Sequence, residues 1–150
     1  MQIGIIGAGE CTPEVEKVAE EVGRQVARCG AVLICGGMGG VMRAACRGAA
    51  GAGGITVGIL PGNRAEQANE YVQISIVTDM GHARNVLVVH SSDVLIAIAG
   101  EYGTLSELAI ALKLGKPVVG LETWDISPDI VNASDPAEAV EKATMLVRRP

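Results

Sequence analysis

Aromatic residues are almost absent from this chain, which has two tyrosines, one tryptophan and no phenylalanine among 150 residues. The core must therefore be built from Val, Ile, Leu and Ala, and 20 glycines allow close backbone packing. Such a composition is typical of a parallel sheet covered by helices, whose strands read as short runs of branched aliphatic residues. A single domain over residues 1–150 is expected, because a chain of this length buries enough surface to fold alone.

Positive charge is also scarce, with 12 Lys and Arg against 17 Asp and Glu and a net charge of −5. Because nucleic-acid binding relies on clustered basic side chains, no nucleic-acid partner is expected. No apolar run reaches the roughly 18 residues that a membrane span needs, and the first residues do not resemble a secretion signal. The four cysteines form no Cys-x-x-Cys pair and are expected to be reduced thiols. These features predict a cytoplasmic protein with no membrane partner.

Short apolar runs alternate with helix-like segments along the chain. Strands are predicted at Ile3–Ile6, Val32–Cys35, Ile55–Leu60, Ile74–Val77, Val94–Ile98 and Val118–Leu121. Helices are predicted at Pro13–Cys29, from Val41 onward, and at Arg84–Ser91, Leu105–Leu114 and Pro136–Val147. This order predicts an α/β fold, with a Rossmann-like, doubly wound and mostly parallel sheet flanked by helices. In such sheets ligands bind beyond the carboxyl ends of the strands.

Three glycine-rich turns follow predicted strands at that edge: Gly7–Thr12, Gly36–Gly40 and Ala99–Glu107. The first has two of the three glycines of a dinucleotide fingerprint. The second strand, however, ends in Cys35 instead of the acidic residue that would hold the ribose of NAD, so no standard NAD site is expected. The other two turns lack the Lys of a P-loop, which argues against ATP hydrolysis.

We expect the three turns to point into one crevice and to bind a phosphate group through backbone N–H groups near helix starts. The predicted ligand-binding or phosphate-binding residues are Gly7, Gly9, Gly36, Gly37, Met38, Gly39, Gly40, Gly100, Tyr102, Gly103 and Thr104.

Structural alternatives remain for two of these turns. The second turn also fits simple tight packing of a helix against the sheet. Thr104 and Glu107 also fit a capping box, which would satisfy two N–H groups at a helix start. No metal site is expected, because His82 and His90 have no ligand partners at a suitable spacing and are read as surface or structural residues.

With these motifs the chain resembles the Lonely Guy phosphoribohydrolases, once misnamed lysine decarboxylases, and most nearly the branch of the molybdenum-cofactor carrier proteins. The resemblance rests on Cys35–Arg43, Gly54–Gly62, Ala83–Asn85 and Ala99–Leu108. In the hydrolases a Pro-Gly-Gly-x-Gly-Thr-x-x-Glu motif holds the phosphate, and an upstream Arg acts with its final Glu on the N-glycosidic bond.

The resemblance implies that Arg84 and Glu107 are the catalytic pair. Asn85 and Glu101 are further candidate ligand contacts, and Arg43 either reaches the ligand or pairs on the surface. Several positions depart from the hydrolase motif: Ala99 stands for its proline, Glu101 for its second glycine and Ser106 for its first glutamate.

Two functions follow from the resemblance. One is hydrolysis of a nucleoside 5′-monophosphate to free base and ribose 5-phosphate, with no required cofactor. The alternative is a non-catalytic carrier of molybdenum cofactor or of a related pterin or nucleotide phosphate. A third hypothesis is an assembly module with a vestigial pocket. It rests on the apolar helices Arg84–Ser91 and Leu105–Leu114, which also predict a homodimer or higher homo-oligomer.

Overall fold

A seven-stranded parallel sheet forms the centre of the protein in the computed structural model, which describes residues 1–148. The strands are β1 Gln2–Gly7, β2 Val32–Cys35, β3 Thr56–Leu60, β4 Ile74–Val77, β5 Val94–Ile98, β6 Val118–Leu121 and β7 Ile130–Asn132. Their order is β4-β3-β2-β1-β5-β6-β7, and every neighbouring pair is parallel. The predicted Rossmann-like fold is confirmed, and β7 is a strand that the sequence pattern did not predict.

Five α-helices of the described chain cover the two faces of this sheet. They are α1 Pro13–Arg28, α2 Gly40–Gly51, α3 Asn85–His90, α4 Tyr102–Lys113 and α5 Pro136–Arg148. Helices α1, α2 and α5 pack on one face, and α3 and α4 pack on the other. A 3₁₀ turn at Gly81–Arg84 leads directly into α3. None of the helices described here combines the length and the apolarity that crossing a bilayer would take.

Successive side chains of the central strands point to opposite faces of the sheet, so each strand contributes to the core on both sides. In β1, Ile3 and Ile5 pack with the helices α1, α2 and α5, whereas Ile6 packs on the side of α3 and α4. All three side chains are at most 1% exposed. Burial on both faces explains why these strands are continuous apolar runs and not alternating ones.

Helices α1 and α2 approach each other through glycines. A Cβ atom on Gly23 would overlap the carbonyl oxygen of Ala45, and one on Gly48 would overlap that of Glu20. The Arg47 guanidinium adds an ion pair with Glu20 across the same contact, with Nη2 to Oε2 at 2.6 Å. This close packing sets the position of α2 and of the glycine-rich turn that precedes it.

The strand order reverses direction between β1 and β5. The chain leaves β1 toward β2 on one side, and β5 continues toward β6 on the other. In open α/β sheets the loops diverge at such a switch point and leave a crevice beyond the carboxyl ends of the strands. The turns after β1 and β5 border this crevice.

Candidate functional site

A cavity of about 160 Å³ lies at the switch point, next to the end of β1. Each of the three glycine-rich turns contributes to its wall. Nine predicted site residues line it: Gly7, Gly9, Gly36, Arg84, Asn85, Glu101, Gly103, Thr104 and Glu107. Seven others lie outside the wall: Gly37, Met38, Gly39, Gly40, Arg43, Gly100 and Tyr102.

The second turn mainly supports the first. Gly40 has a φ of +58°, and a Cβ atom there would overlap the carbonyl oxygen of Ala8. The same carbonyl accepts a hydrogen bond from the Val41 N–H at 3.0 Å. The Asn69 amide group holds the turn from outside by donating to the Met38 carbonyl at 2.9 Å. These contacts favour the packing interpretation for the glycines of this turn beyond Gly36.

Arg43 makes a surface pair. Its guanidinium donates to the carboxylate of Glu70 and lies over the ring of Tyr71, with its carbon 5.3 Å from the ring centroid. Of the two alternatives that the sequence leaves open for Arg43, the structure shows the surface pair.

The third turn differs from the expected helix start. Helix α4 begins at Tyr102 with Glu101 as N-cap, so Thr104 lies inside the first turn of the helix and does not cap it. The capping-box alternative for Thr104 and Glu107 is therefore wrong. The first bond of the helix runs from the Leu105 N–H to the Glu101 carbonyl at 2.9 Å.

No side chain caps α4, in contrast to two other described helices. Thr12 accepts a hydrogen bond from the Val15 N–H at the start of α1, and Asp135 accepts one from the Glu138 N–H at the start of α5. The first N–H groups of an uncapped helix carry partial positive charge and need acceptors. The start of α4, at the cavity, can therefore receive an anion.

Ala99 shapes the backbone that leads into this helix. Its φ is +46°, and its N–H donates to the Leu121 carbonyl at 3.0 Å. Proline can provide neither that φ nor that donor. The conformation of this turn thus excludes proline at position 99, where the hydrolase motif has one.

A chain of hydrogen bonds connects the second and third turns across the cavity. Arg84 donates from Nη2 to the Gly36 carbonyl at 3.3 Å and from Nη1 to the side-chain oxygen of Asn85. The Asn85 amide donates to the Ser106 hydroxyl at 3.0 Å, and that hydroxyl donates to the Gly103 carbonyl at 2.7 Å. Ser106, where the hydrolases have a glutamate, here helps to position Asn85.

Two buried side-chain atoms have no hydrogen-bond partner within residues 1–148: Nε of Arg84 and Oγ1 of Thr104. Leaving such a group unpaired costs about 1–3 kcal/mol, and native proteins tolerate it rarely. Both residues belong to the cavity wall. A ligand with acceptor oxygens would account for both atoms.

Glu107 lies deep in the same wall and is 6% exposed. Burial raises the pKa of its carboxyl group to about 7, and the positive charge of Arg84 partly opposes the rise. Burial also lowers the pKa of Arg84, against the effect of the Glu107 charge. Near neutral pH the site therefore holds a cation beside a carboxyl group that exchanges its proton.

His82 and Met42 also line the cavity, and the sequence reasoning did not place them there. His82 stands two residues before Arg84 in the same 3₁₀ turn, and this proximity was the available signal. In the part of the chain that the structure describes, no three His, Cys, Asp or Glu side chains are grouped to hold a metal ion.

A family model described as the SLOG cluster4 family matches residues 1–148. The chain belongs to the SLOG cluster4 family. Two solved structures of molybdenum-cofactor proteins are similar along nearly their whole length. The molybdenum cofactor binding protein of the phototrophic bacterium Rippkaea orientalis shares 40% identity with a TM-score of 0.92, covering 97% of this chain and 96% of that one. The molybdenum cofactor carrier protein of Chlamydomonas reinhardtii shares 36% identity with a TM-score of 0.90, covering 99% of both chains.

A more distant relative of this SLOG cluster4 chain is an enzyme. The cytokinin riboside 5′-monophosphate phosphoribohydrolase of Mycobacterium tuberculosis is 36% identical over 124 residues, which are 74% of this chain and 64% of that protein. The resemblance to the Lonely Guy group and its carrier branch is confirmed.

Proposed function

We propose that this protein binds molybdenum cofactor, or a related pterin phosphate, with the phosphate in the switch-point cavity, and carries it unchanged. The observation that carries the proposal is the pair of buried, unpartnered atoms on Arg84 and Thr104 in the cavity wall. The similarity to two molybdenum-cofactor proteins over almost the entire chain supports the choice of ligand.

The phosphate is the part of the ligand that the cavity suits. Arg84 supplies a permanent positive charge, and the uncapped start of α4 supplies N–H donors. Glu101 stands at the rim with its residue exposed, so its charge is largely screened by water. The residues that the structure describes offer no cluster for a separate metal ion, and the proposal needs none because molybdenum belongs to the cofactor itself.

Glu107 is compatible with this role because of its raised pKa. A protonated carboxyl group does not repel a phosphate dianion and donates a hydrogen bond to it. Below its pKa of about 7, Glu107 therefore supports phosphate binding. Above that pH the negative charge of Glu107 opposes phosphate binding.

Retention of the cofactor tests the proposal. Molybdenum cofactor released anaerobically from a molybdoenzyme is incubated with the protein, which is then desalted and analysed for molybdenum and phosphorus. We expect close to one of each per chain for the wild type and a clear loss for Arg84→Met. Absence of molybdenum from the desalted wild-type protein would contradict the carrier function.

A second function is favoured by one specific observation: Arg84 and Glu107, the pair that the hydrolase resemblance implies, line one cavity. In this hypothesis a nucleoside 5′-monophosphate places its phosphate on the turns, and positive charge develops on the ribose as the base departs. Ionised Glu107 stabilises that charge and orients the attacking water. Arg84 does not exchange its proton and acts as a clamp. The relative from Mycobacterium tuberculosis supports this candidate.

A panel of nucleoside 5′-monophosphates separates the two functions. Hydrolysis would release free base and ribose 5-phosphate in equal amounts, and Glu107→Gln would abolish the release. No release from any member of the panel, together with retention of the molybdenum cofactor, would leave the carrier function.

We also propose that the protein forms a homodimer through the face of the sheet that α3 and α4 cover. This face has fewer helices than the other, and it leaves Ile74, Ile76 and Val86 at 50%, 44% and 38% exposed. Ile74 and Ile76 are in register with Val57 and Ile59, which belong to the core on this side. Exposed apolar patches of this kind mark subunit contacts.

A further inference from the structure

The cavity is too small for a complete nucleotide or pterin ligand. Its volume of about 160 Å³ is below the roughly 300 Å³ at the lower end of small-molecule pockets. A phosphate with the adjoining part of the ligand fills such a space. The planar ring system of the ligand must then lie outside the cavity, against the surface at its rim.

An exposed tyrosine stands at this rim. Tyr102 lies between Glu101 and Gly103, which both line the cavity, and it is 81% exposed. A large side chain with that exposure gains little from folding, so its place on the first turn of α4 is not explained by packing of the core.

The ring of Tyr102 is nevertheless supported. It stacks on Trp124, with ring centroids 6.2 Å apart and planes inclined by 28°. The Trp124 indole N–H donates to the Glu101 carbonyl at 3.3 Å, which ties the pair to the turn that forms the cavity wall. Two of the three aromatic residues of the chain therefore form one platform beside the cavity, in which the ring of Tyr102 is exposed and that of Trp124 is half-buried.

We propose that Tyr102, backed by Trp124, stacks on the planar heterocycle of a ligand whose phosphate occupies the cavity. The inference rests on the proposed phosphate-binding function and adds the residues that hold the planar ring of the ligand, whether that ring is a pterin or a purine. Exposed tyrosine and tryptophan rings bind such heterocycles through their faces. One stacked base changes affinity by about tenfold to a hundredfold.

The test compares ligands with and without a ring system. Ribose 5-phosphate, adenosine 5′-monophosphate and neopterin monophosphate are titrated into the wild type, Tyr102→Ala and Tyr102→Phe by calorimetry. At least one of the two ring-bearing ligands should bind the wild type about tenfold or more tightly than ribose 5-phosphate. Tyr102→Ala should remove that advantage and leave ribose 5-phosphate binding unchanged, and Tyr102→Phe should keep the advantage.

Trp124 provides a second readout, because it is the single tryptophan of the chain. A stacked heterocycle should change its fluorescence, whereas ribose 5-phosphate should not. Met145→Ala, at an exposed apolar side chain of α5, is the matched control and should bind every ligand as the wild type does.

The outcomes distinguish this inference from the proposed function. If ribose 5-phosphate binds but neither ring-bearing ligand binds more tightly, or if Tyr102→Ala weakens all three equally, the platform is not a stacking site. The same conclusion follows if Tyr102→Ala changes the oligomeric state, since the rings would then belong to a subunit contact. If none of the three ligands binds the wild type, the phosphate site itself is refuted.

Discussion

Thr104 is a residue for which the sequence allows two roles, one in ligand binding and one in helix capping. Its position three residues before Glu107 fits both a capping box and a phosphate-binding turn, and the sequence does not tell in which direction the hydroxyl points. The structure excludes the capping box, because α4 starts at Tyr102 and leaves the hydroxyl buried, at 2% exposure for the residue, and unpaired. Phosphate binding by Thr104 stays a prediction. Arg43 is the opposite case, since a basic residue near a glycine turn becomes a surface partner of Glu70.

Thr104→Val removes this hydroxyl with little change of shape. Without ligand, we expect the free energy of unfolding to rise by about 1 kcal/mol and the Tm by about 2–4 °C, because an unsatisfied buried group is lost. Affinity for ribose 5-phosphate should fall about fivefold. Thermal unfolding and calorimetry measure the two effects.

Thr144→Val is the control for this substitution. The Thr144 hydroxyl already donates to the Val140 carbonyl at 2.8 Å, so its removal should not stabilise the protein. A lower Tm for Thr104→Val than for the wild type, or unchanged phosphate affinity, would count against the assigned role of the hydroxyl.

The raised pKa of Glu107 predicts a pH dependence of stability. Between its ordinary value of 4.5 and about 7, the folded state keeps a proton that the unfolded state releases. The raised pKa of Glu107 therefore adds about 3 kcal/mol to the free energy of unfolding. This contribution is complete below pH 4.5 and is lost as the pH rises to about 7. Urea unfolding across this pH range measures the contribution as the difference in the free energy of unfolding between the wild type and Glu107→Gln.

The Gln variant should lack that decline of stability with pH. Glu141→Gln, at an exposed carboxylate of α5, should retain it. Parallel pH profiles for the wild type and Glu107→Gln would show that the Glu107 carboxyl group titrates normally in the folded protein.

At the scale of elements, the sequence predicts most of the sheet. The bounds of β2, β4, β5 and β6 agree with the apolar runs, because a polar residue, a glycine or a proline stands within two residues of each end of each run. Thr12 and Pro13 mark the start of α1 by capping and by a fixed φ. Strand β7 escapes prediction because it has three residues, of which Ile130 alone is buried.

For the glycine-rich turns, the sequence pattern does not tell whether a glycine contacts a ligand or packs against another part of the backbone. Convergence of the first and third turns follows from sheet topology, whereas the run Gly36–Gly40 fits both ligand contact and close packing. Neighbouring backbone atoms favour close packing for the glycines beyond Gly36, and those neighbours come from parts of the chain that are distant in sequence. The contact of Gly40 with Ala8 is one example.

The contact between α1 and α2 gives a test at this scale. Gly23→Ala places a methyl group against the Ala45 carbonyl, and we expect it to lower the free energy of unfolding by about 1–3 kcal/mol. Gly51→Ala, at the last residue of α2 and with no atom within 4 Å of the added methyl group, should raise it by up to about 1 kcal/mol. Denaturant unfolding compares the two. Equal effects would show that the helices do not meet through Gly23.

At the scale of the molecule, the two faces of the sheet differ in what covers them. Helices α1, α2 and α5 bury one face, whereas α3 is six residues long and leaves apolar side chains of β4 partly exposed. The switch point brings the turns after β1 and β5 together, and this arrangement sets the cavity near the middle of the sheet edge.

The uncovered face predicts self-association. In sedimentation experiments the wild type should have twice the mass of the chain, and Ile76→Glu should be monomeric because a charge in an apolar contact is costly. Met145→Glu, which adds the same charge at an exposed site of α5 on the other face, should remain dimeric. A monomeric wild type at micromolar concentration would contradict the proposed contact.

The phosphate site is tested most directly by titrating ribose 5-phosphate into the wild type, Arg84→Met and Arg43→Met by calorimetry. We predict one bound molecule per chain for the wild type, a Kd at least about tenfold higher for Arg84→Met, and no change for Arg43→Met, whose guanidinium is engaged with Glu70 on the surface. Absence of binding to the wild type, or equal affinity of the wild type and a folded Arg84→Met, would contradict a phosphate site at the switch point.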